Sequence, residues 1–213
     1  GKGKISYGIM SASNTLSLGG RIIENQPVVI LQRNTMRGVK ADGVIGWTLF
    51  GFYTVKIDYD KKVITLVEPS EFVADPLYEA IPLTFNEKKI PFLDAAVSIR
   101  GDEEIIVSLY IDLASSEALV LLVKPEMKFA LPRNLWRRYR GRGMDGNIYG
   151  KFGYIYSLKI GPYALYNIPT AFPRGEVRSR QKEADGILCN KFLQKFHVIF
   201  NYSREKLYIT PNY

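Results

Sequence analysis

The 213-residue chain has a single cysteine, Cys189, and a single histidine, His197. One cysteine excludes an internal disulfide framework and a thiolate metal cage. One histidine excludes sites built from several imidazoles. No metal site and no cofactor are therefore expected. No apolar run approaches the 18 residues that a membrane-spanning helix needs. The N-terminal GKGKISYG lacks the charged-then-apolar pattern of an export signal. Helical periodicity is also scarce, limited to turns near Thr48–Phe52, Lys191–Phe196 and Arg133–Tyr139. The chemistry that survives these absences most easily is chemistry done by carboxylates.

What is abundant is strand-forming sequence. The chain holds 14 Tyr and 11 Phe, and short β-branched runs recur between Gly and Pro punctuation. The formal net charge is +8, which permits contact with nucleic acid or an anionic surface without demanding it. The charges fall mostly on turns, the pattern of a solvated face.

Two stretches repeat one pattern. ADGVIGWTLFGFYTVKIDYDKKVITLVEP begins at Ala41, and ADGILCNKFLQKFHVIFNYSREKLYITP begins at Ala184, an ungapped difference of 143 positions. Val55 meets Val198 and Tyr59 meets Tyr202 at this spacing. Upstream, Leu16–Gly20 matches Leu158–Pro162 and Asn25 matches Asn167 at a difference of 142. Two similar lobes are expected from such a repeat.

The second copy starts earlier than the first. Runs at Ile81–Phe85, Ile90–Ile99, Ile105–Asp112 and Ala118–Val123 read as strands separated by turn signals such as Gly101-Asp102. Residue 1 corresponds to about residue 143, so the 62 positions 81–142 lack a counterpart in the first copy. The expected organisation is an N-terminally incomplete half-unit over residues 1–70, a linker over 71–80, and a complete half-unit over 81–213. The fold class expected is mainly β, with closed barrels, one per copy. The first copy would be completed by a preceding segment or by a second chain.

The strand Ile106-Val-Ser-Leu-Tyr-Ile-Asp112 ends in an aspartate and opens the small-residue loop Leu113-Ala114-Ser115-Ser116. A carboxylate closing such a strand is held in place by the sheet below it. This strand and loop, answered by Val44-Ile45-Gly46 and Ile187-Leu188-Cys189, resemble the half-unit of pepsin-like and retropepsin-like aspartic proteases, and the order of motifs resembles tandem bacterial members. The resemblance spans nearly the whole chain. It implies an acid-protease-like barrel fold and peptide-bond hydrolysis by an Asp-activated water. Asp112 then matches the catalytic aspartate of the second half-unit, and its partner aspartate is expected upstream of residue 1. The Gly-rich hairpin Gly141–Gly150 would lie near the flap over the substrate, with Gly146, Asn147 and Tyr149 as flap candidates. Tandem bacterial relatives are exported, which implies the cell envelope or a secreted location. The sequence departs from the family pattern at Leu113, where Thr or Ser is usual, and at Ala114 and Cys189, where Gly is usual.

Other candidates read more plainly. Asp42 and Asp185 each open an Asp-Gly turn. His197 alternates with Phe196, Val198 and Phe200 and is expected on the opposite strand face, partly exposed. Cys189 reads as a small buried hydrophobe. Arg133–Arg142 reads as an amphipathic turn or short helix, Leu135 and Trp136 inward and arginines outward. The glycines from Gly141 to Gly150 lack the strand–loop–helix order of a phosphate loop. Three functions remain open: an aspartic peptidase acting on peptide or protein, a non-catalytic relative binding peptides or partners, and, least favoured, a basic nucleic-acid-binding β protein.

Overall fold

The structure is a computed structural model that describes residues 8–31, 41–125, 127–143, 146–173 and 183–212. The chain divides into two compact units, one of residues 1–48 with 139–149, the other of residues 49–138 with 150–213.

In the first unit, β1 (Gly8–Ser11), β2 (Leu16–Leu18), β3 (Arg21–Ile23) and β4 (Val28–Leu31) form two antiparallel ribbons, β1 with β4 and β2 with β3. The Asn14 side chain donates to the carbonyls of Ser11 and Gln26 and so closes the loop between the ribbons. Gly19 and Gly20 adopt positive φ, 55° and 82°, in the β2–β3 turn, where a side chain would be strained.

The second unit holds the main core. Its first elements are the second half of α1 (Trp47–Phe50), β5 (Thr54–Asp58), β6 (Val63–Val67), β7 (Glu79–Pro82) and β8 (Thr84–Phe85). They are followed by β9 (Pro91–Ser98), β10 (Ile105–Asp112) and β11 (Leu119–Leu121), then β12 (Trp136–Gly143) and β13 (Gly146–Ile160), whose residues up to 138 and from 150 belong to this unit, and β14 (Tyr163–Phe172). The chain ends with β15 (Gly186–Cys189), α2 (Asn190–Leu193), β16 (Phe196–Asn201) and β17 (Lys206–Pro211). Strands β9, β10, β15, β11, β14 and β13 pair in that order, and β13 returns to pair with β9, so six strands close into a barrel. Closure leaves no free edge among these six. Along β10 burial alternates, with Val107, Leu109 and Ile111 pointing into the core. They pack there with Leu119, Leu121, Ile155, Leu158 and Leu188.

A second sheet runs β6-β5-β16-β17-β7. Its two hairpins share one register: Val55↔Leu66 and Lys56↔Thr65 in the first match Val198↔Ile209 and Ile199↔Tyr208 in the second, each displaced by 143 positions. Strands β5 and β16 pair antiparallel, and Lys56 faces Ile199, its own counterpart. The ribbon Leu16↔Ile23, Ser17↔Ile22, Leu18↔Arg21 likewise matches Leu158↔Leu165, Lys159↔Ala164, Ile160↔Tyr163. Asn25 and Asn167 both take positive φ, 57° and 54°.

Two expectations change. The segment Arg133–Tyr139 is not helical: β12 starts at Trp136 and pairs with β13. Its aromatic residues favour a pleated surface, and the adjacent strand supplies the ladder. Trp136 is 43% exposed, not inward, while Leu135 does pack on the core. Among the described residues one six-stranded barrel closes, built from strands of residues 81–213, and β1 to β4 form ribbons.

Candidate functional site

Asp112 ends β10 on a barrel seam. Strand β10 pairs in parallel with β15, and Asp112 lies opposite Cys189. The carboxylate is half-buried, and its Oδ1 accepts the Ala114 backbone N–H at 2.9 Å. Burial pushes its pKa above the ordinary carboxylate value, and the amides of Ala114 and Ser115 pull less strongly the other way. Among the described residues no carboxylate contributes to that shift.

The loop after Asp112 is fixed by backbone bonds to the turn after β15. Cys189, Asn190 and Lys191 donate their N–H groups to the carbonyls of Ala118, Ser115 and Glu117 at 3.0, 3.2 and 3.0 Å. The Ser115 hydroxyl accepts the Glu117 N–H at 3.4 Å. Leu113 is half-buried and packs against the core, while Ala114 and Ser116 are exposed. The departures from the family pattern thus give a loop anchored by an apolar side chain at position 113 instead of a hydroxyl.

Several supporting residues were not singled out from sequence. The Tyr59 hydroxyl donates to Asn190 Oδ1 at 2.7 Å, and burial pushes its pKa up to about 12. This bond ties the end of β5 to the turn that holds the Asp112 loop. Its counterpart Tyr202 also has a pKa raised by burial and packs among Phe50, Phe85 and Phe200. Glu117 is buried and pairs with Arg138 at 3.1 Å, and the Arg138 guanidinium lies 3.7 Å over the Phe152 ring. The match of Tyr59 to Tyr202 was visible in the sequence; the Glu117–Arg138 pair left no local signal.

Asp185 is more than a turn residue. It sits in a bend before β15, but its side chain is only 9% exposed, with Lys124 and Lys128 each at 3.3 Å. The Ser108 N–H also donates to it at 3.1 Å. Burial alone would raise its pKa, but the Ser108 amide and the two lysines together hold it below the ordinary value. Asp42 is an exposed bend residue.

Cys189 is fully buried with Val120, Leu122, Phe152 and Ala171, as a small hydrophobe would be. His197 is 31% exposed at the side chain. The fold brings it together with Asp58 and Asp60, whose ligand atoms and its own lie within 4.8 Å of one another. These three residues could offer atoms to a metal ion. Asp58, however, already accepts the Lys61 N–H at 2.9 Å and pairs with Lys61 Nζ at 3.5 Å. The flap candidates Gly146, Asn147 and Tyr149 lie on β13 within the first compact unit, where the exposed Tyr149 ring meets Tyr139 edge-on at 5.4 Å. No helix among the described residues is long and apolar enough to cross a membrane.

No protein-family model and no curated protein matches the sequence. Among solved structures, the chain is similar to a retropepsin-like aspartic protease from Rickettsia conorii, at 16% identity and a TM-score of 0.43, over 62% of this chain and 90% of that one. It is also similar to conglutin gamma, a basic 7S globulin from lupine seeds, at 11% identity and a TM-score of 0.47, over 96% of this chain and 72% of that one. At these identities and TM-scores the likeness carries no reading of the chemistry, which must come from this chain's own residues.

Proposed function

We propose that this chain carries one carboxylate of an aspartic-type peptidase site, with Asp112 as the catalytic residue. The observation that carries the reading is the placement of Asp112: half-buried, at the end of a barrel strand, its pKa raised by burial. A carboxyl with a raised pKa keeps its proton to higher pH than an ordinary aspartate, as the proton-donating member of such a pair must. In a two-carboxylate mechanism the ionised member takes a proton from the attacking water. The protonated member stabilises the developing oxygen charge and helps the amine leave. The second carboxylate comes from a preceding segment or from a second chain, and peptide or protein is the substrate.

The matched hairpin registers support a duplicated organisation, with half-units over 1–70 and 81–213 joined by 71–80. Cleavage of a mixed peptide library by the protein together with whatever completes its site, measured against pH, tests the proposal. Asp112→Asn is expected to lower the rate by about a hundredfold or more. Cleavage that persists unchanged in Asp112→Asn removes Asp112 from the mechanism.

The packing of Leu113 into the core favours a second reading, a non-catalytic protease-fold protein that binds peptides or partners at the same loop. Peptide binding without cleavage, equal in wild type and Asp112→Asn, would select it.

A further inference from the structure

A cleft of about 600 Å³ opens in the second unit, lined by Ile99, Arg100, Arg133, Asn134, Trp136 and Tyr154 among others. It lies by the β9–β10 turn, at the opposite end of β10 from Asp112. Eight strand residues separate the two ends, about 23 Å along the strand. The cleft therefore belongs to a different part of the molecule from the Asp112 loop.

Its chemistry is specific. Trp136 and Tyr154 are 43% and 47% exposed, and their rings lie 5.9 Å apart at a 42° tilt. Tyr156 follows two residues after Tyr154 and is 53% exposed. Along a strand this offers successive rings about 7 Å apart on one face. Arg100 and Arg133 line the same cleft as the rings. Arg100 is braced by a 2.6 Å bond to the Leu131 carbonyl. Arg133 is exposed. Among the described residues no carboxylate lines the cleft. The turn between β9 and β10 carries Asp102 and the exposed Glu103 and Glu104; Asp102 accepts the Ser98 hydroxyl and the Arg100 N–H.

We infer that this cleft binds a short segment of single-stranded nucleic acid, its bases stacked on Trp136 and Tyr154 and its phosphates paired with Arg100 and Arg133. Exposed rings beside cations are what a sequence-tolerant single-strand site requires. The net charge of +8 adds attraction at long range. A double helix keeps its bases stacked inside and cannot use the rings.

The test is fluorescence anisotropy of a labelled oligothymidylate with the full chain, repeated over a salt series. Tyr154→Ala is expected to weaken binding about fivefold or more with the salt slope unchanged, while Tyr154→Phe, which keeps the ring, binds like wild type. Arg133→Ala is expected to reduce the slope of log affinity against log salt by about 0.7. A duplex of equal length is expected to bind more weakly than the single strand. Equal or tighter duplex binding, or an unchanged affinity in Tyr154→Ala, overturns the proposal. So does an acidic tyrosine-containing peptide that displaces the oligonucleotide at equal charge, because the cleft would then be a site for acidic protein segments.

Discussion

Asp112 and Asp185 flank the same parallel strand pair, yet their environments act on them in opposite directions. Asp112 is raised by burial. A folded pKa above the unfolded one means the ionised form is disfavoured in the fold, so this group costs stability once the pH exceeds the ordinary value of 3.8. Asp112→Asn should therefore raise the melting temperature at neutral pH, with the gain shrinking towards zero below about pH 4. Asp185 is held below its ordinary value of 3.8. Its contribution is present above that value and is lost as the pH falls through the lower folded pKa. Asp185→Asn leaves Lys124 half-satisfied and should cost about 3 kcal/mol at neutral pH by denaturant titration, with little cost in strong acid. Equal losses at both pH values would argue against the ion-pair account. Sequence alone read Asp185 as a turn residue because its partners Lys124 and Lys128 stand some 60 positions away.

The strands show how a local pattern becomes a wall. The strand at Ile105–Asp112 is legible from its strand-favouring residues, and β10 spans that stretch, with burial alternating along it. Gly186 shows what pattern could not reveal. It lies in β15 between β10 and β11, where an added Cβ would meet the Val120 carbonyl oxygen and come within 2.8 Å of Leu109 Cδ2. Gly186→Ala should destabilise the protein by about 1–3 kcal/mol, read as a lower denaturation midpoint with unchanged slope. A neutral effect would mean that the seam between β11 and β15 can shift. Segment Arg133–Tyr139 failed as a helix because its apparent amphipathicity was a weaker signal than the strand partner β13. Tyr59 forms a bond from the end of β5 to the turn after β15. Its loss in Tyr59→Phe should cost about 1 kcal/mol, measured by the same titration.

At the scale of the molecule, stability should be uneven. Amides of β10, β14 and β15 belong to a closed barrel with a buried interior, while β1–β4 and β2–β3 are two-stranded ribbons with Ile9, Met10 and Ile22 exposed. Hydrogen exchange should find the ribbon amides opening at least about tenfold faster than the barrel amides. Uniform protection would refute that division. The sequence by itself determined the β character, the strand at Ile105–Asp112, the aspartate at its end and the matching of Ala41 onwards with Ala184 onwards, because these live in local propensity and in order along the chain. Only the tertiary structure decided that β13 closes on β9, that Asp185 is buried between two lysines, and that Trp136 and Tyr154 meet Arg100 in one cleft. Each of those depends on residues far apart in sequence whose contact exists only once the barrel has closed.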